Sequence, residues 1–195
     1  MREIVLATHN AHKIGELIAL FQTSPFALKS LDDYPPFDPG LEDGSTFEEN
    51  ALIKARKAAG HLSLPCLADD SGLEVDALNG KPGIHSARYA SSNPERIERL
   101  LEELKNISPE KRSARFVCAM AIVRPDGAAL IKTAYCYGYI AENPTGVNGF
   151  GYDPVFFIPE LGKTMAELPL EAKNLISHRA NAARLILPLL TDWID

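Results

Sequence analysis

The sequence predicts a mixed α/β protein in which a partly antiparallel sheet is flanked by helices, and three observations lead there. The chain opens on a strand, a loop and a helix: Ile4-Val5-Leu6-Ala7 is a short β-branched apolar run, and Ile14, Leu17, Ile18 and Phe21 then recur at helical spacing. Further on, Ala114–Val123 and Ala128–Ile140 are strand-like runs joined by Arg124-Pro125-Asp126-Gly127, a hairpin signal that excludes a purely parallel, doubly wound sheet. Between them lie clearly amphipathic helices. A chain of 195 residues, 46% hydrophobic and 24% charged, can bury a real core, and one domain with room for two lobes is the default for that length.

The loop after the first strand, Thr8-His9-Asn10-Ala11-His12-Lys13, gathers a hydroxyl, an amide and a lysine at the start of a helix. Free N–H groups and the positive end of the helix dipole attract phosphate there; the alternative is an Asn10 N-cap beside a solvated Lys13. His9 and His12 in such a loop are read as solvent-facing rather than as a zinc pair. After a Pro-rich loop around Tyr34–Phe37, Thr46 and Glu49 stand at capping-box spacing and start a helix from about Phe47 to Gly60. On it Phe47, Asn50 and Lys54 share one face, while Ala51, Ala55, Ala58 and Ala59 offer a smooth face for close packing. Glu42 and Asp43, just upstream, are potential oxygen ligands for a hard cation.

Pro65-Cys66-Leu67-Ala68 is the next buried strand, and Ser71-Gly72 is read as a tight turn, so that Asp69 and Asp70 crown the strand end. Adjacent like charges at the end of a buried strand call for a cation or a hydrogen-bonding shell, which makes the pair a metal or catalytic site unless it is a plain turn. Asn79-Gly80-Lys81-Pro82-Gly83 is dense in turn formers and leads through Ile84–Tyr89 into a helix. Ser92 or Asn93 caps that helix, Pro94 fits its first turn, and Ile97, Leu100, Leu101 and Leu104 form an apolar stripe, a purely structural role.

In the stretch Asn143–Asp153, Phe150 stands between glycines, available either to stack on a flat ligand or to plug the core. A strand over Val155–Ile158 and a helical turn over Thr164–Glu167 follow. Ser177 is a natural N-cap, which sets His178 and Arg179 in the first turn of the last helix, where the dipole disfavours positive charge. Pro188 is expected to kink or end that helix before Leu189-Leu190.

A formal charge of −6 argues against nucleic acid or a membrane surface as the main partner, since both favour a basic face. Any anionic substrate must then meet a local group of Lys and Arg, or a metal. Cys66, Cys118 and Cys136 lie in apolar or alternating runs without a CxxC pair, and read as buried thiols of a reducing compartment. With neither a long apolar segment nor a cleavage-site pattern behind Met1, a cytoplasmic location is expected.

Six ordered motifs carry a resemblance over nearly the whole chain. They are Thr8-x-Asn10-x-x-Lys13, Phe47-x-Glu49-Asn50-Ala51 with Lys54-Ala55, Ala68-Asp69-Asp70-Ser71-Gly72-Leu73, Pro82-Gly83-Ile84 with Ser86-Ala87-Arg88-Tyr89, Gly149-Phe150-Gly151-Tyr152-Asp153-Pro154, and Ser177-His178-Arg179. Together they resemble the bacterial inosine/xanthosine triphosphate pyrophosphatases. Departures are small: His9 stands where Gly or Asn is usual, and His85 where Tyr is common.

The resemblance implies a single domain over residues 1–195, elongated and two-lobed with an active-site cleft between the lobes, and a homodimer. It implies Mg2+-dependent hydrolysis of non-canonical purine nucleoside triphosphates (ITP, dITP, XTP) to monophosphate and pyrophosphate. Carried over by position, Thr8, Asn10, Lys13 and Lys54 hold the phosphate chain, Glu42 and Asp70 bind magnesium, and Ser71 contacts substrate. Asp70 is also the proton acceptor, supported by Asp69; Phe150, Gly151, Tyr152, Asp153, Lys173, His178 and Arg179 bind the base. Hypoxanthine and xanthine carry an acceptor at position 6 where adenine carries a donor, so a donor from Arg179 or from first-turn N–H groups would select the former. The competing expectations are a pyrophosphatase for modified pyrimidine nucleotides and a non-catalytic nucleotide sensor.

Overall fold

A computed structural model describes residues 2–36 and 43–194. Seven strands form one mixed sheet in the order β2-β1-β3-β4-β5-β6-β7. In chain order they are β1 (Arg2–Leu6), β2 (Phe26–Ser30), β3 (Cys66–Val75), β4 (Ser113–Val123), β5 (Ala129–Ile140), β6 (Phe156–Ile158) and β7 (Lys163–Thr164). The helices are α1 (Ala11–Phe21), α2 (Phe47–Leu62), α3 (Asn93–Leu104), α4 (Leu170–Ile176) and α5 (His178–Trp193). β1 runs parallel to β2 and β3, whereas β6 runs antiparallel to β5 and β7. The hairpin between β4 and β5 closes as its sequence predicts, with Arg124 N–H donating to Ala128 O at 2.9 Å and Gly127 in the left-handed region at φ 89°.

The chain divides into two compact units, the first made of Met1–Asp70, Cys118–Ala134 and Arg179–Asp195, the second of Ser71–Val117 and Tyr135–His178. Ile4, Leu6, Leu17, Phe21, Leu67, Met120, Ile122 and Ile186 form the core of the first unit. Leu73, Val75, Leu100, Leu104, Phe116, Ile140 and Phe156 form that of the second. In α1 the buried face carries Leu17 and Phe21, but Ile18, expected on the same stripe, is half exposed. In α2 the four alanines are all buried, and their small side chains let the helix lie close against its neighbours.

Two elements correct the sequence reading. β3 continues unbroken through Ser71-Gly72 to Val75, so this dipeptide is extended strand and not a turn. Buried Leu73 and Val75 anchor the far half of the strand and override the local turn preference. Pairing with β1 ends at Leu67, which leaves Asp69 and Asp70 just beyond the end of a neighbouring strand instead of at the end of their own. Of the two expectations for Pro188, a kink or an end, the end is excluded: Pro188 lies inside α5, which continues past it to Trp193 with Leu190 buried. β2 and α4 are elements the sequence did not announce. The expected ligand Glu42 lies outside the described residues.

Candidate active site

The first unit concentrates charge around β3. Asn10 caps α1, its side-chain oxygen accepting from the N–H groups of His12 (3.0 Å) and Lys13 (3.3 Å), and Thr8 Oγ1 accepts from Asn10 N at 3.2 Å. The cap therefore occupies two of the free helix donors, but Lys13 is not solvated. Its ammonium lies 3.0 Å from Asp69 Oδ2 and 3.4 Å from Asp69 O. From α2, Lys54 donates to Asp69 O at 2.8 Å and to Asp70 Oδ1 at 2.9 Å. Asn50, also on α2, donates to Asp70 Oδ2 at 3.3 Å while accepting from Gly44 N. Thr46 caps that helix by accepting from Glu49 N at 3.1 Å, and Glu49 reaches back to Ser45 rather than to Thr46, which holds its carboxyl below the usual range.

Successive side chains of a strand point to opposite faces, and the two aspartates follow that rule. Asp70 meets α2. Asp69 meets Lys13 of α1, the Cys118 thiol of β4 at 3.9 Å and Arg179 of α5, whose Nη2 and Nε donate to Asp69 Oδ2 at 2.8 and 3.3 Å. The Nη1 of Arg179 donates to Glu16 of α1. Arg179 is 1% exposed and Glu16 5%, so this is a desolvated carboxylate–guanidinium–carboxylate chain. Burial works against the charge on Arg179, yet Asp69 and Glu16 outweigh it and hold the guanidinium well above its ordinary pKa. Arg179 thus belongs with Asp69 in the first unit, and the base-reading role expected for it meets a side chain already committed to two carboxylates. Glu16 was missed altogether by the sequence reading. Its signal was its position three residues after Lys13, one helical turn along the same face.

The second unit holds most of the remaining candidates. Asp153 is 2% exposed; its Oδ2 accepts from Phe150 N at 2.9 Å and from Lys173 Nζ at 2.6 Å. The same ammonium stands 4.9 Å from the centre of the Phe150 ring. Gly149 makes this clasp possible, since with φ 72° a Cβ there would lie 2.0 Å from Asp153 Oδ2. Tyr152 is buried and donates to Ser86 O at 3.0 Å, and burial pushes its phenol up in pKa. Ser86 in turn accepts from Leu73 N at 2.9 Å, tying the Gly83–Arg88 turn to β3. His178 is buried and stacks on Phe116, ring centres 4.8 Å apart. Gly151, at φ 63°, and Ser71 complete the candidate set. A cavity of about 1010 Å³ lies between α3 and the loop 144–154, lined by Ile97, Leu101, Pro144 and Phe150 among others.

Among the described residues no group of three or more His, Cys, Asp or Glu side chains is arranged to hold a metal ion. Magnesium needs no such cage, because it is commonly held by one or two carboxylates together with substrate phosphates and water. Asp70 fits that requirement. Both carboxylates already have partners, Asp70 in Lys54 and Asn50 and Asp69 in Arg179 and Lys13, but Asp70 is the less buried of the two, at 9% exposed against 1%. Cys66, Cys118 and Cys136 are all buried, and burial alone pushes the Cys66 thiol up to about 12. No helix among the described residues is long and apolar enough to cross a membrane.

The chain is thus a mixed α/β protein whose first unit sets two lysines against two carboxylates beside a capped helix start. The Ham1 family model matches residues 4–189, and the chain belongs to the Ham1 family. It is 54% identical over 185 residues to the dITP/XTP pyrophosphatase of Geobacillus kaustophilus, covering 93% of this chain and 91% of that protein. It is 50% identical over 189 residues to the dITP/XTP pyrophosphatase of Geobacter sulfurreducens, covering 95% of each. The solved HAM1 protein of Coxiella burnetii superposes with a TM-score of 0.87 at 43% identity, over 98% of this chain and all of that one.

Proposed function

We propose that this protein hydrolyses non-canonical purine nucleoside triphosphates, dITP, XTP and ITP, to the monophosphate and pyrophosphate, clearing them from the nucleotide pool. The observation that carries the proposal is the convergence of Lys13 and Lys54 on Asp69 and Asp70, in a chain about half identical to proteins named dITP/XTP pyrophosphatases. A triphosphate brings several negative charges to that point, and two partly buried ammonium groups neutralise them where screening by water is weak. Thr8 and Asn10, at the start of α1, lie beside Lys13 on this phosphate side, and Ser71 contacts the substrate next to Asp70.

Water attacks the α-phosphorus, the bond from that phosphorus to the bridging oxygen breaks, and pyrophosphate leaves. Asp70 orients the water and takes its proton; the lysines stabilise the charge that builds on the leaving group. A carboxylate is a weak base near neutral pH; Asp70, with Glu42, would hold magnesium, which would lower the pKa of the water there. Asp69 supports Asp70 by fixing both lysines through its backbone oxygen and its side chain. The base stacks on Phe150, in a pocket with Gly151, Tyr152, Asp153, Lys173 and His178; the Asp153–Lys173 clasp sets the angle of the ring. With Arg179 committed to its carboxylates, the first-turn N–H groups of α5 are the donors for the acceptor at position 6, which adenine cannot match. The protein works as a cytoplasmic homodimer, each chain a single catalytic domain.

The test is a panel of dITP, XTP, ITP, GTP, ATP and UTP incubated with the protein and magnesium, with pyrophosphate and orthophosphate measured separately. Pyrophosphate released from dITP, XTP and ITP at rates at least about a hundredfold above ATP is the expected result. Orthophosphate as first product, preference for UTP, or no turnover defeats the proposal.

A further inference from the structure

We infer that Glu16 is a positioning residue for this site, acting through Arg179 and Asp69 on the phosphate-gripping lysine Lys13. The inference rests on the reaction proposed above. Glu16 lies on α1, one turn beyond Lys13, and is 5% exposed. A carboxylate on a surface helix ordinarily points to water, and burying one is costly unless it is paired. Here the cost is offset by the Nη1 of Arg179, itself 1% exposed. The guanidinium is a rigid planar fork, so fixing one edge on Glu16 fixes the direction of the other. That other edge presents Nη2 and Nε to Asp69 Oδ2 at 2.8 and 3.3 Å. The same oxygen lies 3.0 Å from Lys13 Nζ. The order of contacts is therefore Glu16, Arg179, Asp69, Lys13, and it begins and ends on α1.

Charge counting gives the arrangement a purpose. Lys13, Lys54 and Arg179 stand against Glu16, Asp69 and Asp70, three cations against three anions. Were Glu16 neutral, the guanidinium would keep Asp69 as its charged partner among the contacts described, and the Asp69 oxygen would be drawn onto the rigid guanidinium and away from the flexible lysine. Lys13 would lose its anchor, while the net charge would favour a polyanion more than before. Positioning and binding are thereby expected to separate. A misplacement of about 1 Å in a group that stabilises the transition state can cost on the order of a hundredfold in rate, whereas general attraction for phosphate depends little on such detail.

The experiment compares wild type, Glu16→Gln and Glu16→Asp for turnover of dITP with magnesium, for binding of inorganic pyrophosphate without magnesium by calorimetry, and for melting temperature. Glu16→Gln should lower kcat at least about tenfold while KM and the pyrophosphate Kd stay within about threefold of wild type or fall. Glu16→Asp keeps the charge on a shorter stem and should lie between the two. Arg179→Lys, which loses the fork and keeps the charge, should lower kcat as well, and in combination with Glu16→Gln the losses should be far from additive. A melting temperature that falls with kcat within twofold of wild type makes Glu16 a purely structural residue and overturns the inference; so does a raised KM with unchanged kcat. If Glu16→Gln does not fold, Glu16→Asp decides, and wild-type kcat in that variant overturns the inference. Wild type without turnover defeats the functional proposal and this inference with it, while an active wild type beside an unimpaired Glu16→Gln defeats this inference alone.

Discussion

Replacing Arg179 by alanine removes the shared cation from between Asp69 and Glu16. The guanidinium is 1% exposed and the two carboxylates it joins are 1% and 5% exposed, so neither anion gains water when it is lost. Truncating one partner of a buried ion pair costs about 3–5 kcal/mol, mostly because the remaining charge is left without compensation. Here one buried cation serves two buried anions, which places the effect toward the upper end. For a chain of 195 residues, at roughly 2–4 °C per kcal/mol, the melting temperature should fall by about 10 °C or more. An exposed pair gives the contrast: Lys105 and Glu102 are more than half exposed, and Lys105→Ala should shift melting by no more than about 2 °C. The assay is thermal unfolding by circular dichroism together with kcat/KM for dITP and dATP. Arg179→Ala should lose stability and turnover while the preference for dITP over dATP, measured on the folded enzyme at low temperature, stays within about threefold. Unchanged melting with a collapsed preference would refute this reasoning and restore Arg179 to the base pocket.

Asp70→Asn should lower kcat by at least about a thousandfold while dITP still binds in calorimetry, because amide and carboxylate have the same shape, whereas the base, the metal ligand and the charge paired with Lys54 are lost. Gly149→Ala, whose Cβ would fall 2.0 Å from Asp153 Oδ2 at a positive φ, should break the Phe150 loop and raise KM for dITP about tenfold or more with the phosphate grip intact, as read by an unchanged pyrophosphate Kd. In alkali the sign follows from the raised groups. Tyr34 and Tyr89 are pushed up to about 12, each chiefly by burial and then by a carboxylate hydrogen bond, and Cys136 is pushed up to about 11 by burial. Folded protein therefore holds these protons more tightly than unfolded chain, and their contribution is complete below about pH 9 and is lost as pH rises through 9–12. Urea midpoints measured from pH 8 to 11.5 should decline over that window, and the native protein should leave all three buried thiols unreactive to a disulfide reagent at pH 8.

Much of the fold was legible because its signals are local. The hairpin at Arg124–Gly127, the caps at Thr46 and Ser92, and the stripe of α3 each need only a few residues of neighbouring sequence, and each forms where it was expected. The errors lie where a distant partner decides. Ser71-Gly72 is turn-like in composition but is held extended within β3, a central strand of the sheet. β2 is only five residues long with one fully buried side chain, so its pattern is lost without β1 beside it. The site divides in the same way. Lys13, Lys54, Asp69 and Asp70 stand out as charges inside apolar or capped contexts. Nothing near Arg179 in the chain discloses that its partners lie 110 and 163 residues earlier, and Glu16 looks like any solvated helix carboxylate until α5 is set against α1.

The alternation of Asp69 and Asp70 along β3 also limits how this gene can change. Inserting or deleting a single codon between Cys66 and Ser71 would turn each following side chain to the opposite face, so the carboxylate that faces Arg179 would be delivered to Lys54 and the other way round. Length there is therefore under stricter constraint than residue identity: a conservative replacement alters one contact, whereas a frame-preserving indel of one residue exchanges the two halves of the centre at once. A deletion scan across this strand should find no tolerated single-residue event, although the partly exposed Asn79–Gly80 turn accepts length change far more readily.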